Sequence, residues 1–181
     1  PFGFSKWACS LNLFNEKTQN IEVWVKDISD TDHQRCYYWY GRDNESINEL
    51  WLAWEAKVPT KTFHFKGEKK RALDNYLFEK TDYGKFPTEV KNQIRSTDEV
   101  YFNLAYFKFG YLVATDYEEL STESIELLQR FAKVFEQTYT RFLDLQKSEA
   151  QAREARIEAA LERIRSRTMA MHKSDELSEV A

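Results

Sequence analysis

The sequence predicts an α+β domain followed by one long helix. Three observations carry this reading. Stretches with every-second-residue apolar spacing alternate with stretches of helical spacing through the first three-quarters of the chain. All 28 aromatic residues (Trp 5, Tyr 10, Phe 13) lie at or before Phe142, and the last Pro and Gly are Pro87 and Gly110. From Leu143 to Ala181 the chain is dominated by Ala, Glu, Arg, Leu and Ile, the composition of a long helix or coiled coil.

In chain order, Trp7, Cys9, Leu11 and Leu13 alternate as a first strand. Ile21, Val23 and Val25 alternate as a second, after a turn-like stretch from Asn15 to Asn20. Gln34 to Gly41, dense in Tyr and Trp, reads as a third. Ser46 and Glu49 match an S-x-x-E capping box opening a helix whose Ile47, Leu50, Trp51 and Trp54 share a face. Thr60 to Lys66 reads as a short strand. Glu68 to Lys80 reads as a second helix, with Ala72, Leu73, Tyr76 and Leu77 as its stripe, and Pro87 to Arg95 as a third. Two strands follow, Glu99 to Tyr106 and Phe109 to Thr115, with a tight connection near Lys108 that favours antiparallel pairing.

Ser121 is placed to cap the last helix, with Glu123 favourably set against the helix dipole. Ile125, Leu128, Ala132, Phe135, Tyr139 and Phe142 then recur at three and four residues. A second stripe, Leu143, Ala150, Ile157, Ile164 and Met171, recurs every seven, joined by Leu161 and Thr168. At 1.5 Å per residue the run from Ser121 to Ala181 would extend on the order of 80–90 Å if straight. The second stripe starts one position out of phase with the first, and Gln146 to Arg156 between them is polar or Ala. This reads as a register-shifting joint or as a solvent-exposed helix middle. Beyond Leu143 nothing aromatic is at hand to cover Ile157, Leu161 and Ile164, which predicts a homodimer through this helix.

A net charge of −4 and a pI near 5.5 give no electrostatic footprint for nucleic acid. No run approaches the ~18 apolar residues of a membrane span, so no membrane insertion is expected. The opening Pro1-Phe2-Gly3-Phe4 lacks an initiator Met and a signal pattern, and reads as the start of a cytoplasmic fragment with further chain upstream. Cys9 and Cys36 read as two buried thiols, not a disulfide. His33 and His64 lack zinc-like spacing, so no metal is expected. There is no G-x-S-x-G, phosphate-cradling loop or dinucleotide fingerprint, and Glu118-Glu119 lies in a pre-helix turn. No catalytic residues and no enzymatic activity are expected.

The order of elements resembles a GAF domain. The run Ala159-Ala160-Leu161-Glu162-Arg163-Ile164-Arg165-Ser166-Arg167-Thr168-Met169-Ala170-Met171-His172-Lys173-Ser174-Asp175-Glu176-Leu177 is similar to connecting segments of Bacteroidetes-type multi-GAF sensor proteins. A PAS domain is the nearest competing fold. The GAF resemblance implies a mostly antiparallel sheet of five to six strands with helices on both faces. It also implies a sensory domain over residues 1–143, a signalling helix over 144–173, and the start of a following domain at 174–181. The implied function is a sensory input module of a bacterial two-component receptor; a ligand-free dimerisation and spacer element is the alternative. His172 is followed by Lys173-Ser174-Asp175 and no Pro, unlike a histidine-kinase phosphoacceptor, and reads as a surface residue. Cys36 has Arg35 and Tyr37 beside it, not the His expected for bilin attachment, and the cyclic-nucleotide signature is absent. No cofactor is therefore expected, though single-His haem ligation in GAF-like sensors leaves His33 and His64 as open alternatives. The ligand of a GAF-like fold lies between sheet and inserted helices. This implies an aromatic pocket for an unidentified small molecule, formed by Tyr38, Tyr40, Trp51, Trp54, His64 and Tyr76, or else a core filled by the same rings.

Overall fold

The computed structural model describes residues 9–25 and 36–178, with side chains as far as Met169. The expectations placed on Trp7, His33 and residues 179–181 lie outside the described residues, and those on the side chains of Met171 and His172 lie beyond that limit. The chain divides into two compact units, Pro1–Glu136 and Gln137–Ala181.

The first unit is an α+β domain built on a six-stranded sheet. Its strands are β1 (Cys9–Asn15), β2 (Asn20–Val25), β3 (Cys36–Trp39), β4 (Thr60–Lys66), β5 (Glu99–Phe107) and β6 (Gly110–Asp116). They lie in the order β3-β2-β1-β6-β5-β4, and every pairing is antiparallel. The tight connection expected near Lys108 is the Lys108-Phe109 turn, closed by the pair Phe107 and Gly110.

Period-two spacing sorts the strand residues onto two buried faces. One face carries Ile21, Val23, Tyr37, Trp39, Phe63, Phe65, Val100, Leu104, Tyr111 and Val113. It is covered by α1 (Glu45–Glu55), through Ile47, Leu50 and Trp51, and by α2 (Gly67–Lys80), through Leu73 and Leu77. The other face, with Leu11, Leu13, Ala105, Phe107 and Ala114, is covered by Leu128 and Ala132 of α4 (Thr122–Ser178). A 3-10 turn (Asp82–Lys85) and α3 (Thr88–Arg95) follow α2. Asn103, fully buried on β5, fastens the centre of the sheet. Its amide donates to Ala114 O at 3.3 Å, and its oxygen accepts from Thr62 Oγ1 at 3.1 Å and from Leu120 N at 3.5 Å.

Three sequence expectations need correction. The α1 cap is Asn44, whose side-chain oxygen accepts the Ile47 amide at 3.2 Å; Ser46 sits buried inside the first turn. An Asx cap two residues upstream competes directly with a Ser cap, because both accept from the same kind of orphan amide. In α2 the buried stripe is Lys70, Leu73, Asp74, Leu77 and Phe78, and Ala72 is exposed. Cys9 is exposed and Cys36 half-buried, so neither is a fully buried thiol.

The Ser121 cap is present, accepting Ser124 N at 3.3 Å through its hydroxyl. The helix it opens runs unbroken to Ser178, including Gln146 to Arg156. In the second unit Ile157, Leu161 and Ile164 are 57 %, 50 % and 62 % exposed. Among the described residues no helix is long and apolar enough to cross a membrane.

Candidate ligand site

The six aromatic and histidine positions singled out from sequence fall into three separate places. Tyr38 and Tyr40 lie exposed at the β3 edge of the sheet, with rings stacked at 6.4 Å. Tyr76 reaches them from α2, its hydroxyl donating to Tyr40 O at 2.8 Å. Asp82 completes this cluster: Oδ2 accepts the Tyr38 amide at 3.2 Å, and Oδ1 accepts the Tyr40 hydroxyl at 3.0 Å and Lys85 Nζ at 2.8 Å. Burial alone would raise the Asp82 pKa, but the bonds from Lys85, Tyr40 and Tyr38 outweigh it and hold the carboxyl below the usual range.

Trp51 is core, its ring 4.3 Å from Phe14. Trp54 packs on Phe14 as well and donates its indole N–H to Phe107 O at 3.0 Å. It lines an open cleft of about 640 Å³ near the end of α1, together with Lys57, Lys108, Lys133 and Glu136. His64 is on β4 at the opposite edge of the sheet, stacked on Tyr101 at 4.1 Å and 3.2 Å from Glu99. Its neighbours Phe63 and Phe65 face α1 and α2, so alternation sends His64 to the other face. Among the described residues no cluster of three or more His, Cys, Asp or Glu could hold a metal.

Between the sheet and α2 and α3 lies a smaller cavity of about 100 Å³, and of the six only neighbours in sequence approach it. Its lining includes the apolar Leu73, Leu77, Phe86 and Val113 and the polar Lys70, Asp74 and Tyr111. Lys70 and Asp74 are 3 % and 5 % exposed, and Lys70 Nζ donates to Asp74 Oδ2 at 2.5 Å and to Ile94 O at 2.6 Å. Burial raises the Asp74 pKa against the pull of Lys70 and Arg95. Tyr111 is fully buried, and among the described residues its hydroxyl has no hydrogen-bond partner; burial, with Tyr106 and Tyr83 nearby, holds that hydroxyl far above the ordinary tyrosine pKa. The Trp39 indole N–H, also on this wall, is close to Tyr83 without the geometry of a full hydrogen bond.

The legible signal for this site was charge inside an apolar stripe. Lys70, Leu73, Asp74 and Leu77 share one face of α2 by their spacing, so two charges at core positions marked a special place. Tyr111 carried no comparable signal, because an alternating strand aromatic is ordinarily core. Comparison with family profiles, with curated proteins and with solved structures finds no match for this chain.

Proposed function

We propose that the chain is a GAF-like sensory input module of a bacterial two-component receptor, which passes its state along a dimeric helix to a downstream domain. The observation that carries this is the second unit itself. Ile157, Leu161 and Ile164 recur at four and three residues on α4, each at least half exposed. Single exposed apolar residues need no explanation, but a stripe at helical spacing is the form of a coiled-coil seam. The same helix begins with Leu128 and Ala132 buried on the sheet, so the packed domain and the seam belong to one continuous element. Support for the family is the order of elements and the tail segment already described. In this reading the segment itself has no catalytic activity and works by changing how its helix packs.

The expected partner is a second copy of this chain. Light scattering should therefore report twice the 21.6 kDa chain mass at micromolar concentration. Paired Leu161→Glu and Ile164→Glu substitutions should yield a monomer with unchanged thermal unfolding of the sheet domain. A monomeric parent chain would remove the basis of the reading. The rival role, a ligand-free spacer, draws on Trp51 being wholly core; it predicts the same dimer but no small-molecule binding.

A further inference from the structure

We infer that the cavity beneath α2 and α3 is a binding site for a small uncharged carbonyl compound, whose oxygen accepts hydrogen bonds from Tyr111 and Lys70. That such a ligand acts as a signal rests on the sensory reading above; the binding itself does not.

Two unspent donors line the same small space. A buried hydroxyl without a partner is costly, and native proteins leave few such groups unexplained. Tyr111 is one, fully buried and lining the cavity. An ammonium has three N–H donors; Asp74 and Ile94 take two of those on Lys70, which leaves one. Each residue thus keeps one donor without an acceptor, and the group that answers both is an oxygen with two lone pairs. The raised pKa of Tyr111 keeps its hydroxyl a donor at any physiological pH.

Charge and size narrow the class further. Lys70 and Asp74 already neutralise each other, so a carboxylate or an amine would enter the cavity with no counter-charge and at heavy desolvation cost. The cavity holds about 100 Å³, against ~30 Å³ per water and ~150 Å³ for a benzene-sized site. That corresponds to about three to four non-hydrogen atoms. Leu73, Leu77 and Val113 in the same lining suit a short alkyl remainder. A ketone or amide of that size meets all three conditions, with affinity on the order of millimolar for so few atoms.

The test is methyl NMR on the 181-residue chain, titrated separately with acetone, acetate and ethylammonium. The expected result is saturable shifts of the Leu73, Leu77 and Val113 methyls with acetone alone. Tyr111→Phe should weaken that binding by at least about fivefold, the scale of one lost hydrogen bond. Leu77→Phe, which fills the space, should abolish it, and serves as the check if the tyrosine variant fails to fold. Shifts that never saturate would mean a cavity holding water only, and would overturn the proposal. Equal binding of acetate or ethylammonium, or undiminished binding by Y111F, would overturn it too. Saturable binding in a chain that proves monomeric would leave this site standing and sink the relay. Absent binding in a stable dimer would do the reverse.

Discussion

Asp82 shows how much one side chain can do at an open sheet edge. Among the described residues β3 has a strand partner on one side only, and outer amides of such a strand would face solvent or another chain. The Asp82 carboxylate takes the Tyr38 amide in place of a missing strand, while Tyr37 and Trp39 pack edge-on against Tyr83 of the same turn. Replacing it by Asn keeps the shape and removes the charge, so D82N should lose about 1–3 kcal/mol in urea unfolding at pH 7. The folded protein holds this carboxyl below its unfolded value of about 3.9. Its contribution is therefore complete above about pH 5 and lost as pH falls through the folded-state value. The gap between wild type and D82N should accordingly narrow as pH falls below about 3.9; a gap that stays constant through that fall would mean the charge plays no part. None of this was readable beforehand. Asp82 follows a helix and precedes a Tyr-Gly pair, which in sequence marks only a turn, and its partners Tyr38 and Tyr40 lie more than forty residues upstream.

At the scale of elements the sequence was far more legible, for a physical reason. Strand alternation and helical stripes record which side of an element is dry, and that information is local. Hence β4 runs over the expected Thr60–Lys66, and β5 and β6 pair as expected around Lys108-Phe109. Boundaries slipped where two residues offered the same chemistry, as with Asn44 and Ser46 at the start of α1. Close approach of backbones is also invisible in sequence. Gly110 sits where β6 meets β1, and a Cβ added there would fall 1.8 Å from Asn12 O and 3.0 Å from Leu13 Cα. These are backbone atoms that cannot rotate aside, so Gly110→Ala must push the two central strands apart. The expected loss is about 1–3 kcal/mol, read as a fall of several degrees in the thermal midpoint. An unchanged midpoint would show that the central pairing yields more easily than its geometry implies.

For the whole molecule, the break in composition near Leu143 announced a second part with its own physics, and the long exposed helix agrees with that composition. The site was less legible, because a cavity is made by residues from α2, α3, the 3-10 turn and five strands that no local pattern brings together. Tyr38, Tyr40 and Tyr76 do meet, yet at an edge, and His64 lies at the far side of the sheet. What the proposed relay needs is that the phase of the helix matters. Each residue turns an ideal helix by about 100°, so one inserted residue rotates everything downstream, while seven restore the face within about 20°. The decisive measurement inserts one to seven residues after Lys147, in the receptor carrying this segment, and reads its output at each length. The relay predicts output that varies periodically, locked high or low by one or two residues and regulated again at seven. Output indifferent to length would make the helix a passive spacer and contradict the account.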